Sequence, residues 1–251
     1  MRILYNDLWK AGTLTDSSEA VGYAGTNTQH PHLSRAWRST GLAGEWVKID
    51  AGTAITADSL AIIGHNFTAA ATVRIQGNAA DAWGAPSLDL RGNPSDPLIL
   101  SIFASASYRY WRVSIDDAAN PDGFLTIGRV YLCARWESTE PIDQSFKPDV
   151  DDTTQLSASI TGQIFADLGV RQRKYSFSMG TIKDATKLAL EAVANSARFH
   201  DPVVVDPDDK IGPSGSQGIP RLYATLTKQP TFTAVGAWGW DDDGLEFKEA
   251  L

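Results

Sequence analysis

The segment Tyr108-Arg109-Tyr110-Trp111-Arg112-Val113-Ser114-Ile115 is the strongest constraint on what this chain can fold into. Aromatic and β-branched residues crowd it, and such residues fit a pleated, half-buried surface. Glu45-Trp46-Val47-Lys48-Ile49-Asp50, before Ala51-Gly52, alternates polar and apolar residues, the period of a strand with one face on a core and one in water. Ser59 to Gly64 reads as a buried run, Ala71 to Gly77 alternates again, and Thr126 to Leu132 supplies a fifth strand. Between them lie the turn clusters Asn93-Pro94-Ser95-Asp96-Pro97 and Asn120-Pro121-Asp122-Gly123, where Pro presets φ and Gly or Asn tolerates φ > 0. This spacing predicts an antiparallel sandwich over residues 1–136.

After Trp136 the texture changes. Glu137 to Thr154 holds six acidic residues and two prolines with little apolar periodicity, which suits a solvated connector. We therefore expect an acidic linker at 137–150 and a second domain at 151–251. In that domain Arg173 to Met179 alternates as a strand, and Pro202 to Val205, Arg221 to Leu226 and Phe232 to Trp240 read as three more. One helix is predicted from Lys183 to Phe199, with Ala185, Leu188, Ala189, Ala192, Val193 and Phe199 on its apolar face and the small Ser196 beside them. Asp206 to Pro220 is too rich in Gly, Pro, Ser and Asp to hold regular structure. The fold expected is mainly β: a jelly-roll sandwich followed by a β-rich α+β domain with one helix.

Charge narrows the function. Over 251 residues, 22 Lys and Arg stand against 30 Asp and Glu, a net charge of −8, so a nucleic-acid partner held through its phosphates is not expected. The single cysteine, Cys133, rules out an internal disulfide framework and fits synthesis in a reducing cytoplasm. Met1 to Asp7 lacks the apolar stretch of a secretory signal, and no window approaches about 18 uninterrupted apolar residues, so membrane insertion is not expected.

Motifs for chemistry are absent from the sequence. Gly212-Pro213-Ser214-Gly215-Ser216 is neither a nucleophile elbow nor a phosphate cradle, because the glycines stand at the wrong offsets and no Lys-Ser/Thr follows. His30-Pro31-His32 offers two imidazoles without a third ligand, and His200 stands alone near the helix end. Asp149-Val150-Asp151-Asp152, Asp206-Pro207-Asp208-Asp209 and Asp241-Asp242-Asp243 could gather carboxylate oxygens around Ca²⁺, although solvated turns account for them as well. Asp116-Asp117 with Asn120 and Asp122-Gly123 hints at a calcium loop but breaks the helix-loop-helix register at Ala118. No cofactor is required, then, with a structural calcium left open, and no enzymatic activity is expected. Three residues remain as candidates for contact with a glycan or a partner. Trp83 lies in the loop Asp81-Ala82-Trp83-Gly84-Ala85-Pro86, where its ring could stack on a sugar. His65-Asn66 ends a buried run, either as a polar pair presented to a ligand or as a turn with Asn66 at φ > 0 and His65 on a backbone group.

Trp37-Arg38-Ser39-Thr40, Trp46-Val47-Lys48-Ile49-Asp50-Ala51-Gly52 and Arg109-Tyr110-Trp111-Arg112-Val113 come in the order and at the separation seen in discoidin, or factor 5/8 type C, domains. The N-terminal region resembles that galactose-binding-like family, which implies a jelly roll whose interior includes Trp46, Ile49, Tyr110, Trp111 and Val113. The whole chain, through Trp37-Arg38-Ser39, Leu60 to Asn66, Tyr110-Trp111-Arg112, Asn120 to Gly123 and Ile127-Gly128-Arg129, resembles minor tail proteins of long-tailed bacteriophages and prophages. That likeness implies a structural component of the distal tail or tail tip, located in the virion and assembled in the host cytoplasm. Its partners would be copies of itself, arranged as a ring, and adjoining tail proteins. The alternative is a carbohydrate-binding module that holds a host surface polysaccharide through Trp83, His65 and Asn66.

Overall fold

The computed structural model describes residues 1–138, 146–197, 200–207, 219–235 and 239–250. The chain divides into two units, Leu4–Trp136 and Met1–Ile3 with Glu137–Leu251. Strand β1 (Arg2–Leu4) pairs into the sheet of the second unit. The first unit contains β2 (Thr13–Asp16), β3 (Trp37–Arg38), β4 (Glu45–Ile63), β5 (Thr72–Asn78), β6 (Leu88–Gly92), β7 (Leu98–Asp116), β8 (Thr126–Ile127) and β9 (Arg129–Cys133).

Two 19-residue strands, β4 and β7, frame this unit and pair antiparallel along most of their lengths. The segments expected as separate strands at 45–50 and 59–64 are thus the two halves of β4. Its first half, Glu45–Asp50, lies against Tyr110–Ile115, with β2 on one side and β5 and β6 beyond β7. Its second half, Ser59–Ile63, lies against Leu98–Ile102 and β9. Register shifts at Asp50/Ile55 and Ala57/Ser59 separate the halves, and bulges of this kind bend a strand and raise its twist. Gly52, at φ 75°, supplies the left-handed backbone there. One core joins the halves: Val47, Ile49, Val73, Ile75, Trp111, Val113 and Ile115 pack with Leu60, Ile62, Ile99, Val130 and Leu132. The unit is an antiparallel jelly-roll sandwich. Each such aliphatic side chain contributes roughly 1.5–3 kcal/mol when fully buried.

Period-two geometry corrects two of the expected core residues. Val47 and Ile49 point inward on β4, and Trp111, Val113 and Ile115 on β7. Side chains one or three positions away must face the other side. Trp46 and Tyr110 accordingly lie half-buried on the outer face. The interior tryptophans besides Trp111 are Trp9 and Trp37, both at 0% exposure. Their indole N–H groups donate to Thr28 Oγ1 at 3.2 Å and to the Ser18 carbonyl at 2.9 Å.

Beneath β9, Arg129 and Asp7 form a buried ion pair, Nη2 to Oδ2 2.8 Å. The Asp7 carboxylate also accepts the Trp9 and Leu132 N–H groups. Burial pushes its pKa up to about 6, while Arg129 and the two N–H donors pull it down. Cys133 is buried, and burial drives its thiol pKa upward.

In the second unit β10 (Trp136–Glu137), β11 (Lys147–Asp152), β12 (Gln155–Ala158), β13 (Ile164–Asp167), β14 (Arg171–Phe177), β15 (Thr181–Ile182), helix α1 (Asp184–Ala197), β16 (Val203–Asp206), β17 (Leu222–Lys228), β18 (Phe232–Ala234), β19 (Trp240–Asp242) and β20 (Leu245–Glu249) follow one another. A seven-stranded sheet runs β10-β1-β16-β17-β20-β14-β11. Arg2 of β1 ties it to both neighbours, with Nη1 3.1 Å from Asp206 and Nε 3.4 Å from Glu137. Beside them the Ser138 N–H donates to the Met1 carbonyl at 3.0 Å. A three-stranded sheet, β15-β19-β18, and a separate hairpin, β12-β13, complete the β structure.

Several expectations change here. The linker expected at 137–150 holds strand at Glu137 and from Lys147 onward, with 139–145 outside the described residues. The acidic residues of β11 are spent on cross-strand ion pairs: Asp151 with Lys248 at 2.6 Å and Asp152 with Arg171 at 3.2 Å. Phe232 to Trp240 is a pair of antiparallel strands, β18 and β19, instead of one strand, with 236–238 outside the described residues. Helix α1 buries Thr186, Leu190, Val193, Ala194 and Ala197 beside β17, and leaves Leu188 at 62% exposure with Ala185 and Ala192 also outside. The buried stripe is spaced i, i+4, i+7, i+8, i+11, rotated from the face expected. Phe199, Asp208, Asp209 and the Gly212–Ser216 loop lie outside the described residues. Among the described residues, no helix is long and apolar enough to cross a membrane.

Candidate functional site: the outer face of the sandwich

On the outer side of the sandwich, alternation sets Trp46, Lys48 and Asp50 of β4 beside Tyr110 and Arg112 of β7 and Gln76 of β5. Lys48 is directly opposite Arg112, Asp50 opposite Tyr110, and Gln76 opposite Arg112 on the other side. The loop after β5 closes over this row. Asp81 accepts from Lys48 Nζ at 2.6 Å and from the Trp83 indole N–H at 2.6 Å. The Arg112 guanidinium lies 4.4 Å from the centre of the Trp83 ring, and its Nε donates to Gln76 Oε1 at 2.8 Å. Lys48 Nζ stands 4.9 Å from the Trp46 ring centre. Each contact sets a cation against an aromatic face, which fixes the ring without sealing it from water.

The carboxylates on this face are held ionised. The hydrogen bond from Lys48 lowers the Asp81 pKa. Arg109 makes a paired contact with Asp50, both bonds 2.7 Å, and holds that carboxyl at about 2 with help from the Gly52 N–H. Burial lowers the Arg112 pKa. The surface therefore offers two indoles and a phenol beside fixed donors and acceptors. Such a mixture suits a ligand with apolar faces and many hydroxyls.

The three candidate contact residues do not come together, for among the described contacts none links Trp83 to His65 or Asn66. Those two belong to a loop network at another part of the sandwich. His65 Nδ1 accepts the Phe67 N–H at 3.2 Å and Nε2 donates to the Asp96 carbonyl at 2.9 Å, while burial lowers the ring's pKa and keeps it neutral. Asn66 donates to Asp122 Oδ2 and the Phe124 carbonyl and accepts from the Thr126 N–H, so its amide is fully used. The left-handed position of this turn is Gly64, φ 67°, and not Asn66.

The hinted calcium loop is committed to the same network. Asp117 accepts from the Thr68 hydroxyl at 2.6 Å, the Thr68 N–H at 2.8 Å and Asn120 Nδ2 at 2.9 Å. Asp116 accepts the Gly44 N–H. Among the described residues, no group of three or more His, Cys, Asp or Glu could hold a metal ion. In the His30-Pro31-His32 segment, the His32 N–H donates to His30 Nδ1 at 3.2 Å. Sequence reasoning missed Lys48, Asp81 and Arg112 as members of a site. The positions of Lys48 and Arg112, two residues from Trp46 and Tyr110, were a usable signal, whereas the Lys48–Asp81 contact spans 33 residues and had none.

No family model matches the chain, and no curated protein matches it. Solved structures similar to it include chitosan-binding module 1 of a chitosanase/glucanase from Paenibacillus sp. IK-5, 17% identical, covering 51% of this chain and 98% of that one with a TM-score of 0.39. The lectin domain of lectinolysin, complexed with Lewis B antigen, is 13% identical over 51% of this chain and 96% of its own, with a TM-score of 0.42. CpGH89CBM32-5 from Clostridium perfringens, in complex with GalNAc-β-1,3-galactose, is 10% identical over 51% and 100%, with a TM-score of 0.43.

Proposed function

We propose that the first unit is a carbohydrate-binding module and that the chain recognises a surface glycan through the outer face of its β2-β4-β7-β5-β6 sheet. The supporting observation is the meeting of Trp46, Trp83 and Tyr110, half-buried with their faces oriented by cations, beside Lys48, Asp81 and Arg112. A pyranose ring would stack on an indole while its hydroxyls exchange bonds with the charged side chains. No reaction is assigned to the chain. Titration of its tryptophan fluorescence with neutral and uronate-bearing polysaccharides tests the reading. A saturable change is expected, weakened at least about tenfold by Trp83→Ala or Trp46→Ala. A silent panel, or binding indifferent to both substitutions, would refute it.

A second reading, compatible with the first, is a structural component of a bacteriophage tail. What supports it is the sequence likeness, together with the apolar side chains that the second unit exposes on hairpin β12–β13 as a surface for a partner. Antibody labelling of purified particles checks it, and unlabelled tails would end it.

A further inference from the structure

The segment from Thr153 to Val170 holds a single charge, Asp167, in eighteen residues. It extends the β11–β14 pair into hairpin β12–β13, in register Gln155↔Asp167, Leu156↔Ala166, Ser157↔Phe165 and Ala158↔Ile164. The loop closes on itself, for the Ser159 N–H donates to the Gln163 carbonyl at 2.8 Å, the Gly162 N–H to the Ser159 carbonyl at 2.9 Å, and Gly162 takes φ 82°. Every residue of both strands is exposed.

Cross-strand partners share a face, so Leu156, Ala158, Ile164 and Ala166 form one wholly apolar side. Leu156 and Ile164 are 71% and 69% exposed, and Ile160 at the tip and Leu168 at the base are bare. A lone two-stranded hairpin is marginal in water, and natural edges are guarded by Lys, Pro or bulges. This hairpin has no Lys, Arg or Pro. Phe165, opposite Ser157, lies on the other side. Without it, the segment together with Val170 exposes on the order of 600 Å² of apolar surface, against the ~800 Å² each partner gives a standard specific interface.

We infer that this face docks on the same face of a second copy of the chain. Large and small residues alternate across it, Leu156 beside Ala166 and Ala158 beside Ile164. A two-fold axis through the face therefore lays each large side chain over a small one, the self-complementarity an isologous contact requires. Charge at the hairpin leaves this occupant open. Two molecules of net charge −8 repel, and this hairpin is where they can meet with little charge between them. The contact is independent of the glycan reading. It also goes beyond the tail reading, because a two-fold contact closes at two copies and builds no ring.

Sedimentation of the full chain, with the monomer at 27.1 kDa, is the test. A species of twice that mass is expected as concentration rises toward roughly 100 μM. The double variant Leu156→Glu, Ile164→Glu is expected to weaken association at least about tenfold with unchanged circular dichroism, since neither side chain is packed within its own chain. Ser157→Glu, on the opposite face of the hairpin, is expected to leave association unchanged. A wild-type monomer at every concentration, or a dimer that survives the double variant, overturns the inference.

Discussion

The Asp7–Arg129 pair shows what one buried charge demands of its surroundings. Asp7 accepts from three donors on three neighbours: the Arg129 guanidinium and the N–H groups of Trp9 and Leu132 stabilise its charge, and burial opposes them. Arg129→Met removes the counter-charge and sends the carboxyl's pKa above its present value of about 6. A group whose folded pKa lies above the unfolded 3.8 contributes fully below that value and loses its contribution as pH rises through the folded one. The substitution is therefore expected to cost about 3–5 kcal/mol near neutral pH and less at about pH 4, where Asp7 carries its proton. Urea denaturation at the two pH values reads the difference, and equal losses would contradict the account. None of this was legible in the sequence, where Asp7 and Arg129 stand 122 positions apart.

Among the elements, alternation made the strands of the sandwich readable and also set the limit of the reading. Val47 and Ile49 mark the inner side of β4, so Trp46 could not join them, yet the family likeness implied an interior place for it. Helix α1 failed for a related reason. Alanines at 185, 189 and 192 blur the apolar stripe, and Leu188 drew the expected face toward them, whereas the side chains packed beside β17 centre on Leu190 and Val193. Leu190→Ala is expected to lower stability by about 2–5 kcal/mol, and Leu188→Glu to change it by less than about 0.5 kcal/mol. Denaturant midpoints of the two variants compare the faces directly, and a larger loss at Leu188 would reverse the assignment.

For the whole molecule, the turn clusters and the acidic stretch after Trp136 revealed that the texture of the chain changes, but not that its first three residues belong with its last hundred. Three residues are too few to show a period. The order β10-β1-β16 makes Arg2–Leu4 an interior strand of the second sheet, and the Ser138–Met1 bond, beside strands at 2–4 and 136–137, runs β1 and β10 antiparallel. Everything between them, 5–135, is then a parenthesis opened and closed at neighbouring points of one sheet. A chain with Ile3 joined to Trp136 through a two-residue Asn-Gly turn is expected to fold and unfold cooperatively, because it keeps the register of the Ser138–Met1 bond and replaces the insertion with an ordinary hairpin connection. Loss of β-sheet circular dichroism in that chain would count against it. Such an arrangement lets one module be exchanged for another while the sheet that carries it keeps every strand.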